Sequence, residues 1–169
     1  MDNPVLVAYA SKYGATAEIA EKIGSSLNQA GVPAQVLPAD RVSDMAAYSG
    51  LILGSAVYIG RWRKEAIKLL QSNEAVLVGK PVWLFSSGPT GEGDPEELLS
   101  GWNLPGKLHP IAERIGIRDI AVFHGAVDAD KLNFVEKFML KNVKAPIGDF
   151  RDWDAIESWS AGIADELKA

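Results

Sequence analysis

The sequence predicts a doubly wound α/β fold: a five-stranded parallel sheet of order 2-1-3-4-5 with helices on both faces. Three observations carry this expectation. Short, nearly continuous apolar runs alternate with amphipathic helical stretches along the 169 residues, the pattern of a parallel sheet covered on both sides. The first apolar run passes through a short polar loop straight into a helical repeat. The loops expected after the first, third and fourth strands are all unusual in composition. In such sheets a ligand binds beyond the carboxyl ends of the strands, where the strand order reverses, and those three loops flank that point.

Val5–Ala10 reads as the first strand. From Thr16 the apolar spacing becomes helical, with Ile19, Ile23 and Leu27 four apart and Gly31 placed to end the helix. Ala34–Ala39 reads as the second strand, Ser43–Tyr48 as a short helix and Leu51–Ser55 as the third strand. Trp62–Gln71 follows as a helix with Ala66, Ile67, Leu69 and Leu70 apolar. The fourth strand is Pro81–Ser86, with Pro81 at its start, where a missing N–H is tolerated. Ile117–Ala126 is the fifth. Two helices complete the chain, near Leu132–Val143 and Asp154–Leu167. In the last, Ile156, Trp159, Ile163 and Leu167 share a face, and Asp154 with Glu157 is expected to form a capping box. No repeat, linker or low-complexity tract interrupts the pattern, so residues 1–169 are read as one domain.

Composition narrows the chemistry. There is no cysteine, which removes disulfides, thiolate nucleophiles and cysteine-ligated metal centres. The two histidines, His109 and His124, are too few for a histidine-rich metal site. Seventeen basic and 22 acidic side chains give a formal charge of −5, which disfavours nucleic acid as the main partner. No basic segment followed by an apolar one opens the chain, and no apolar run approaches the roughly 20 residues of a spanning helix. The expectation is a cytoplasmic protein whose membrane contact is at most peripheral.

The first unusual loop is Ser11, Lys12, Tyr13, Gly14, Ala15 and Thr16. A loop that ends in a helix N-terminus offers unpaired N–H groups and a partial positive charge, which suits an anion. The hydroxyls of Ser11, Thr16 and Tyr13 add donors, and Gly14 permits close approach or positive φ. Neither G-x-x-x-x-G-K-S/T nor G-x-G-x-x-G is present, so nucleoside triphosphate and dinucleotide signatures are lacking. Read alone, this loop is equally a plain N-capped turn. The second loop, "GSAVYIGRW", contains Ser55, Ala56, Val57, Tyr58, Ile59 and Gly60. The third, "SSGPTGEGDP", contains Ser86, Ser87, Gly88, Pro89, Thr90 and Gly91, and is long for a strand–helix connection. A flat aromatic ligand between these two loops explains their mixture of glycines and aromatics, with Tyr58 or Trp62 stacking on its ring. The alternative makes Tyr58 and Trp62 ordinary core or surface aromatics.

These stretches carry a family resemblance. "VLVAYASKYGATAEIAEKI", "LILGSAVYIGRW" and "FMLKNVKAPIGDFRDWDAIESWSAGIADEL" together resemble the flavodoxin family over nearly the whole chain. They are most similar to the flavodoxin-like branch that includes the menaquinone-dependent protoporphyrinogen dehydrogenase of bacteria. Ser11, Gly14 and Thr16 match the family's phosphate loop, and Tyr13 stands where a hydroxyl residue is usual. The resemblance implies non-covalent FMN, its phosphate on Ser11–Thr16 and its isoalloxazine between Ser55–Gly60 and Ser86–Gly91. The cofactor brings the redox chemistry, and the protein tunes it through hydrogen bonds and charge near the ring. A peptide near Tyr58–Gly60 is expected to face the flavin N5.

Two roles follow from the resemblance. The first is an electron carrier that docks on a redox partner protein or small molecule through a small transient interface. The alternative is an enzyme that oxidises a flat porphyrin-like substrate and passes electrons to a quinone. Against the alternative, the stretch after the fourth strand is acidic at Glu92, Asp94, Glu96 and Glu97. The basic amphipathic stretch "KLNFVEKFMLKNVK" is expected to pack Leu132, Val135, Phe138 and Met139 on the sheet, with Lys131, Lys137, Lys141 and Lys144 solvated. A membrane or quinone contact is its other reading. His109 is expected near the cofactor and His124 as a satisfied core histidine in the fifth strand. No serine triad pattern and no aspartate ending the third strand are present, which disfavours hydrolase and phospho-acceptor roles.

Overall fold

The computed structural model describes residues 3–58, 60–143 and 147–169, except the side chains at 129 and 139–143. In chain order the elements are β1 (Val5–Ala10), α1 (Ala15–Gln29), β2 (Ala34–Pro38), β3 (Gly50–Tyr58), β4 (Arg61–Trp62), α2 (Lys64–Ser72), α3 (Glu74–Leu77) and β5 (Val82–Ser87). Then follow α4 (Pro95–Leu98), α5 (His109–Ile115), β6 (Asp119–Phe123), β7 (Ala126–Val127), α6 (Phe134–Val143), β8 (Gly148–Asp149) and α7 (Trp153–Lys168). The main path of the sheet is β2-β1-β3-β5-β6, all parallel, with β4 folded back on β3. Setting β4 aside, this is the expected order 2-1-3-4-5.

Alternate residues of the strands point to opposite faces, which divides the core in two. Leu6, Ala8, Leu51, Leu53 and Leu84 face α2 and α5, where Leu69, Leu70, Ile111 and Ile115 meet them. Val5, Val7, Ile52, Trp83 and Phe85 face α1 and α7, where Ile19, Ile23, Leu27, Ile156 and Ile163 meet them. Gly54 has a packing reason: a Cβ there falls 2.0 Å from Phe85 Cζ, so the ring of the neighbouring strand occupies that space. Phe85, Phe123 and Trp159 form an aromatic cluster with centroids 5.4 to 6.1 Å apart.

Several boundaries differ from the sequence expectation. The helix read at Ser43–Tyr48 is a single 3₁₀ turn, Met45–Ala47, whose N-cap Asp44 accepts from the Ala46 N–H. The third strand runs on to Tyr58 because β4 pairs with its end, Val57 to Trp62 and Tyr58 to Arg61. The following helix therefore starts at Lys64, and Trp62 belongs to a hairpin. The fifth strand is shorter, ending at Phe123. The last helix is capped by Asp152, which accepts from the Ala155 N–H. Helices α3, α4 and α5 were not expected; α4 is announced by Asp94 as N-cap and Pro95 in the first turn.

The largest correction concerns α6. Val135 and Phe138 do not pack on the sheet: they are 61% and 59% exposed, and Phe134 is 83% exposed. Leu132 is half-buried, the side chains of Met139 and Lys141 lie outside the described set, and Lys144 lies outside the described residues. Glu136 is the residue turned inward, 5% exposed. Residues two apart on a helix point to nearly opposite sides, so burying Glu136 turns Phe134 and Phe138 outward.

Candidate functional site

The register of the sheet assembles the site. Ala10 pairs with Ser55, Ser55 with Ser86, and Ala56 with Ser87. Because β1, β3 and β5 are parallel neighbours, the segments after them emerge side by side at one edge. The three expected loops are thereby brought together.

The first segment turns at Gly14, whose φ of +95° lies in the left-handed region. A Cβ there meets open space, so the demand for glycine is conformational. The Gly14 N–H donates to Ser11 Oγ at 3.0 Å, which closes the turn. The first intrahelical bond of α1 runs from the Glu18 N–H to the Gly14 carbonyl at 3.1 Å. No side chain caps this helix. The N–H groups of Ala15, Thr16 and Ala17 thus lack a partner among the described residues, and Thr16 is buried beside them. These backbone N–H groups lie at the positive end of a 15-residue helix, a geometry that suits an anion.

Lys12 and Tyr13 do not point toward these N–H groups. Lys12 Nζ lies 2.8 Å from Glu136 Oε2, and the Tyr13 hydroxyl donates to Glu136 Oε1 in a short contact. The Asn133 N–H adds a third donor at 3.2 Å, and the Glu136 N–H is capped in return by Asn133 Oδ1 at 2.8 Å. The ammonium of Lys12, then the hydroxyl of Tyr13, hold the Glu136 carboxyl down to about 2. Its own bond to Glu136, then its contact with the Tyr13 hydroxyl, push Lys12 up. Burial, then the Glu136 charge, push the Tyr58 hydroxyl up. Glu136 was legible in the sequence only as one residue of an amphipathic helix; nothing local marks its partners more than a hundred residues away.

The second segment is less a loop than expected. Ser55, Ala56, Val57 and Tyr58 are the last four residues of β3, Gly60 turns the hairpin at φ +68°, and Ile59 lies outside the described residues. The Ser55 hydroxyl donates to the Ala56 carbonyl at 2.9 Å and accepts from the Arg63 N–H at 2.9 Å. Trp62 is buried, and its indole N–H donates to Ser86 Oγ at 2.8 Å. Tyr58, 38% exposed, is the aromatic left free at this edge.

The third segment begins inside β5. Ser86 and Ser87 are buried strand residues, and Ser86 donates onward to the Asn103 carbonyl at 2.8 Å. The serines at 55 and 86 thus tie strand ends to the next segments. Gly88, Pro89, Thr90 and Gly91 form the true loop. Its start is fastened to the end of β6: the Gly88 N–H donates to the Phe123 carbonyl at 3.2 Å, and the Gly125 N–H to the Pro89 carbonyl at 3.0 Å. The two glycine backbones touch, since a Cβ on Gly125 falls 2.9 Å from Gly88 Cα. His124 and Gly125 leave the strand to make these contacts, which is why β6 ends at Phe123.

Two other residues define the surroundings. Arg151 Nη1 donates to the Ala15 carbonyl at 3.2 Å and to Glu18 Oε1 at 3.1 Å, while Asp149 takes Nη2 at 2.7 Å and the Trp153 ring lies 4.8 Å away. This guanidinium pins the segment after β8 to the first turn of α1, a role with no sequence signal. His109 opens α5 and lines a surface groove with Glu113, Gly116 and Asp119. That groove reaches the amino end of β6, the far end of the sheet, so His109 is not gathered with the three segments. Among the described residues no three carboxylates or imidazoles converge as metal ligands, and no helix is long and apolar enough to cross a membrane.

Comparison with known proteins agrees with this architecture. The chain is similar to a flavodoxin from the domain Archaea, at 16% identity over 98% of this chain and 99% of that one, with a TM-score of 0.64. Flavodoxin 2 from Bacillus cereus gives 22% identity over 98% and 99%, with a TM-score of 0.60. Rubredoxin oxygen:oxidoreductase from Desulfovibrio gigas gives 13% identity and a TM-score of 0.63, with 98% of this chain matching 36% of the other. No curated protein sequence matches the chain. Identities this low establish the fold. The match of residues 6–154 to the Flavodoxin domain family goes further, and the chain belongs to that family.

Proposed function

We propose that this protein binds FMN without a covalent link and carries electrons between redox partners, protein or small molecule, in the cytoplasm. The observation that carries this reading is the uncapped N-terminus of α1, opening beside the ends of β3 and β5. The N–H groups of Ala15, Thr16 and Ala17, with Ser11 and Thr16 hydroxyls beside them, suit the phosphate. The segments Ser55–Gly60 and Ser86–Gly91 then flank the ring, with Tyr58 as the stacking aromatic. When bound, the cofactor supplies one- and two-electron redox chemistry. The chain's own contribution is to bind the phosphate on backbone donors, hold the ring between two fastened segments, and surround it with acidic groups at Glu92, Asp94, Glu96 and Glu97. Those acids disfavour a negatively charged reduced ring. The family membership supports flavin as the ligand.

Purification followed by a visible spectrum and FMN titration tests this. A flavin band near roughly 450 nm, or stoichiometric uptake of added FMN, is expected. A colourless protein that takes up no FMN overturns the reading and leaves a cofactor-free scaffold.

A second reading, a quinone-linked dehydrogenase of a porphyrin-like substrate, has one observation in its favour. The outward Phe134, Val135 and Phe138, with Lys131 and Lys137 exposed beside them, form an apolar and basic surface next to the phosphate segment. Anaerobic reoxidation separates the two readings. Fast electron transfer to a menaquinone analogue selects the enzyme; reoxidation by protein carriers alone selects the carrier.

A further inference from the structure

His124 sits just past β6 and is 8% exposed. Both of its ring nitrogens face carbonyl oxygens of the third segment: Nδ1 lies 3.1 Å from Pro89 O, and Nε2 lies 2.6 Å from Gly93 O. A carbonyl only accepts, and a neutral imidazole has one N–H to give. In the neutral ring one nitrogen therefore sets a lone pair against an oxygen. Pro89 O already receives the Gly125 N–H, so the neutral ring gives its proton to Gly93 and leaves Nδ1 facing Pro89 unbonded. The bond to Gly93 is thus made in either protonation state.

The two contacts differ in importance. The Pro89 end of the segment is already fastened by backbone bonds to Phe123 and Gly125. Among the described residues the Gly93 carbonyl is held by His124 alone. The ring thus spans the glycine-rich segment from one end to the other. The ionisable groups on the elements around it are Glu92 and Asp94 on the segment, and Glu96 and Glu97 on α4. Asp119 lies on β6, Asp128 and Asp130 follow β7, and Asp149 with Arg151 lies at β8. None of them is hydrogen-bonded to the ring.

We propose that His124 is the positioning residue of the Pro89–Gly93 segment, its ring N–H on the Gly93 carbonyl fixing the far end of this segment beside the flavin. This rests on the FMN reading above.

FMN dissociation constants are measured at one pH for the wild type, His124→Phe, which removes the ring N–H, His124→Gln, whose side-chain amide restores a donor, and His109→Gln, the control at the chain's other histidine. His124→Phe is expected to bind FMN about three- to tenfold more weakly than the wild type, His124→Gln to recover part of that loss, and His109→Gln to follow the wild type. In the cofactor-free proteins the Gly91–Asp94 amides are expected to exchange slowly in the wild type and faster in His124→Phe. Equal affinity and equal exchange in the wild type and His124→Phe overturn the proposal, and unprotected Gly91–Asp94 amides in the cofactor-free wild type overturn it even if no variant folds. Failure of every protein, the wild type included, to bind FMN overturns the cofactor reading instead, and the cofactor-free exchange still decides the clamp.

Discussion

Lys12 Nζ lies 2.8 Å from Glu136 Oε2, across 124 positions of sequence, and this pair joins the segment between β1 and α1 to α6. The carboxylate also takes the Tyr13 hydroxyl and the Asn133 N–H. A loop residue that would otherwise offer its charge to an anion is thereby spent on a protein carboxylate, and the anion is left to the backbone.

Acid sensitivity follows from that pair. The Glu136 carboxyl is held from an ordinary 4.5 down to about 2. A depressed carboxyl contributes its stability fully above the ordinary value and loses it as pH falls through the depressed one. The wild type is therefore expected to lose stability between about pH 4.5 and pH 2, and Glu136→Gln to lose less over that window. At neutral pH the variant should melt roughly 3–6 °C lower, as expected for removing a charge-assisted hydrogen bond from a chain of this length. Thermal melts at stepped pH measure both; parallel curves for the two proteins would show that the pair stores no stability.

Thr16→Val tests the proposed phosphate site. Thr16 is buried in the first turn of α1, and valine keeps its shape while removing the hydroxyl. FMN affinity is expected to fall about tenfold, the value of one hydrogen bond to a charged group. Riboflavin, which has no phosphate, should bind both proteins equally. Calorimetry with the two ligands decides; an equal loss for both would move the hydroxyl's role from the phosphate to the fold.

Gly60→Ala probes the hairpin turn. Gly60 has φ +68° and open space where a Cβ would stand, so alanine meets no clash and suffers only the left-handed backbone cost of about 1–2 kcal/mol. If the peptide at this turn contacts the flavin differently in its redox states, that cost falls unequally on them. At least one of the two one-electron potentials should then move by roughly 40 mV or more. Unchanged potentials in spectroelectrochemistry would remove this turn from the redox site.

Gly125→Ala tests how the third segment is positioned. Its Cβ falls 2.9 Å from Gly88 Cα and 3.1 Å from Gly88 O, and backbone has little room to yield. The segment must shift, at a cost of about 1–3 kcal/mol. FMN affinity is expected to fall at least tenfold. Gly106→Ala, with nothing within 4 Å and ordinary backbone angles, is the neutral control. Equal behaviour of the two variants in melts and titrations would mean that the Gly88–Gly125 approach does not set the site.

The amino-acid sequence by itself determined the layered architecture, the strand order and the three segments that meet at one edge. It did so because burial on both faces writes continuous apolar runs such as Val5–Ala8 and Leu51–Leu53, and because turn chemistry at Gly14 is local. Tertiary structure alone decided which way side chains face and what they hold. The α6 pattern permits either Phe138 or Glu136 inward; in the folded chain Lys12, Tyr13 and Asn133 supply the donors that a buried carboxylate requires. Likewise, His124 reads as one more residue of a strand until the fold brings the Pro89 and Gly93 carbonyls to its two nitrogens. Periodicity reports average burial along one element. It carries no information about pairings between elements that only the folded chain brings within hydrogen-bond reach.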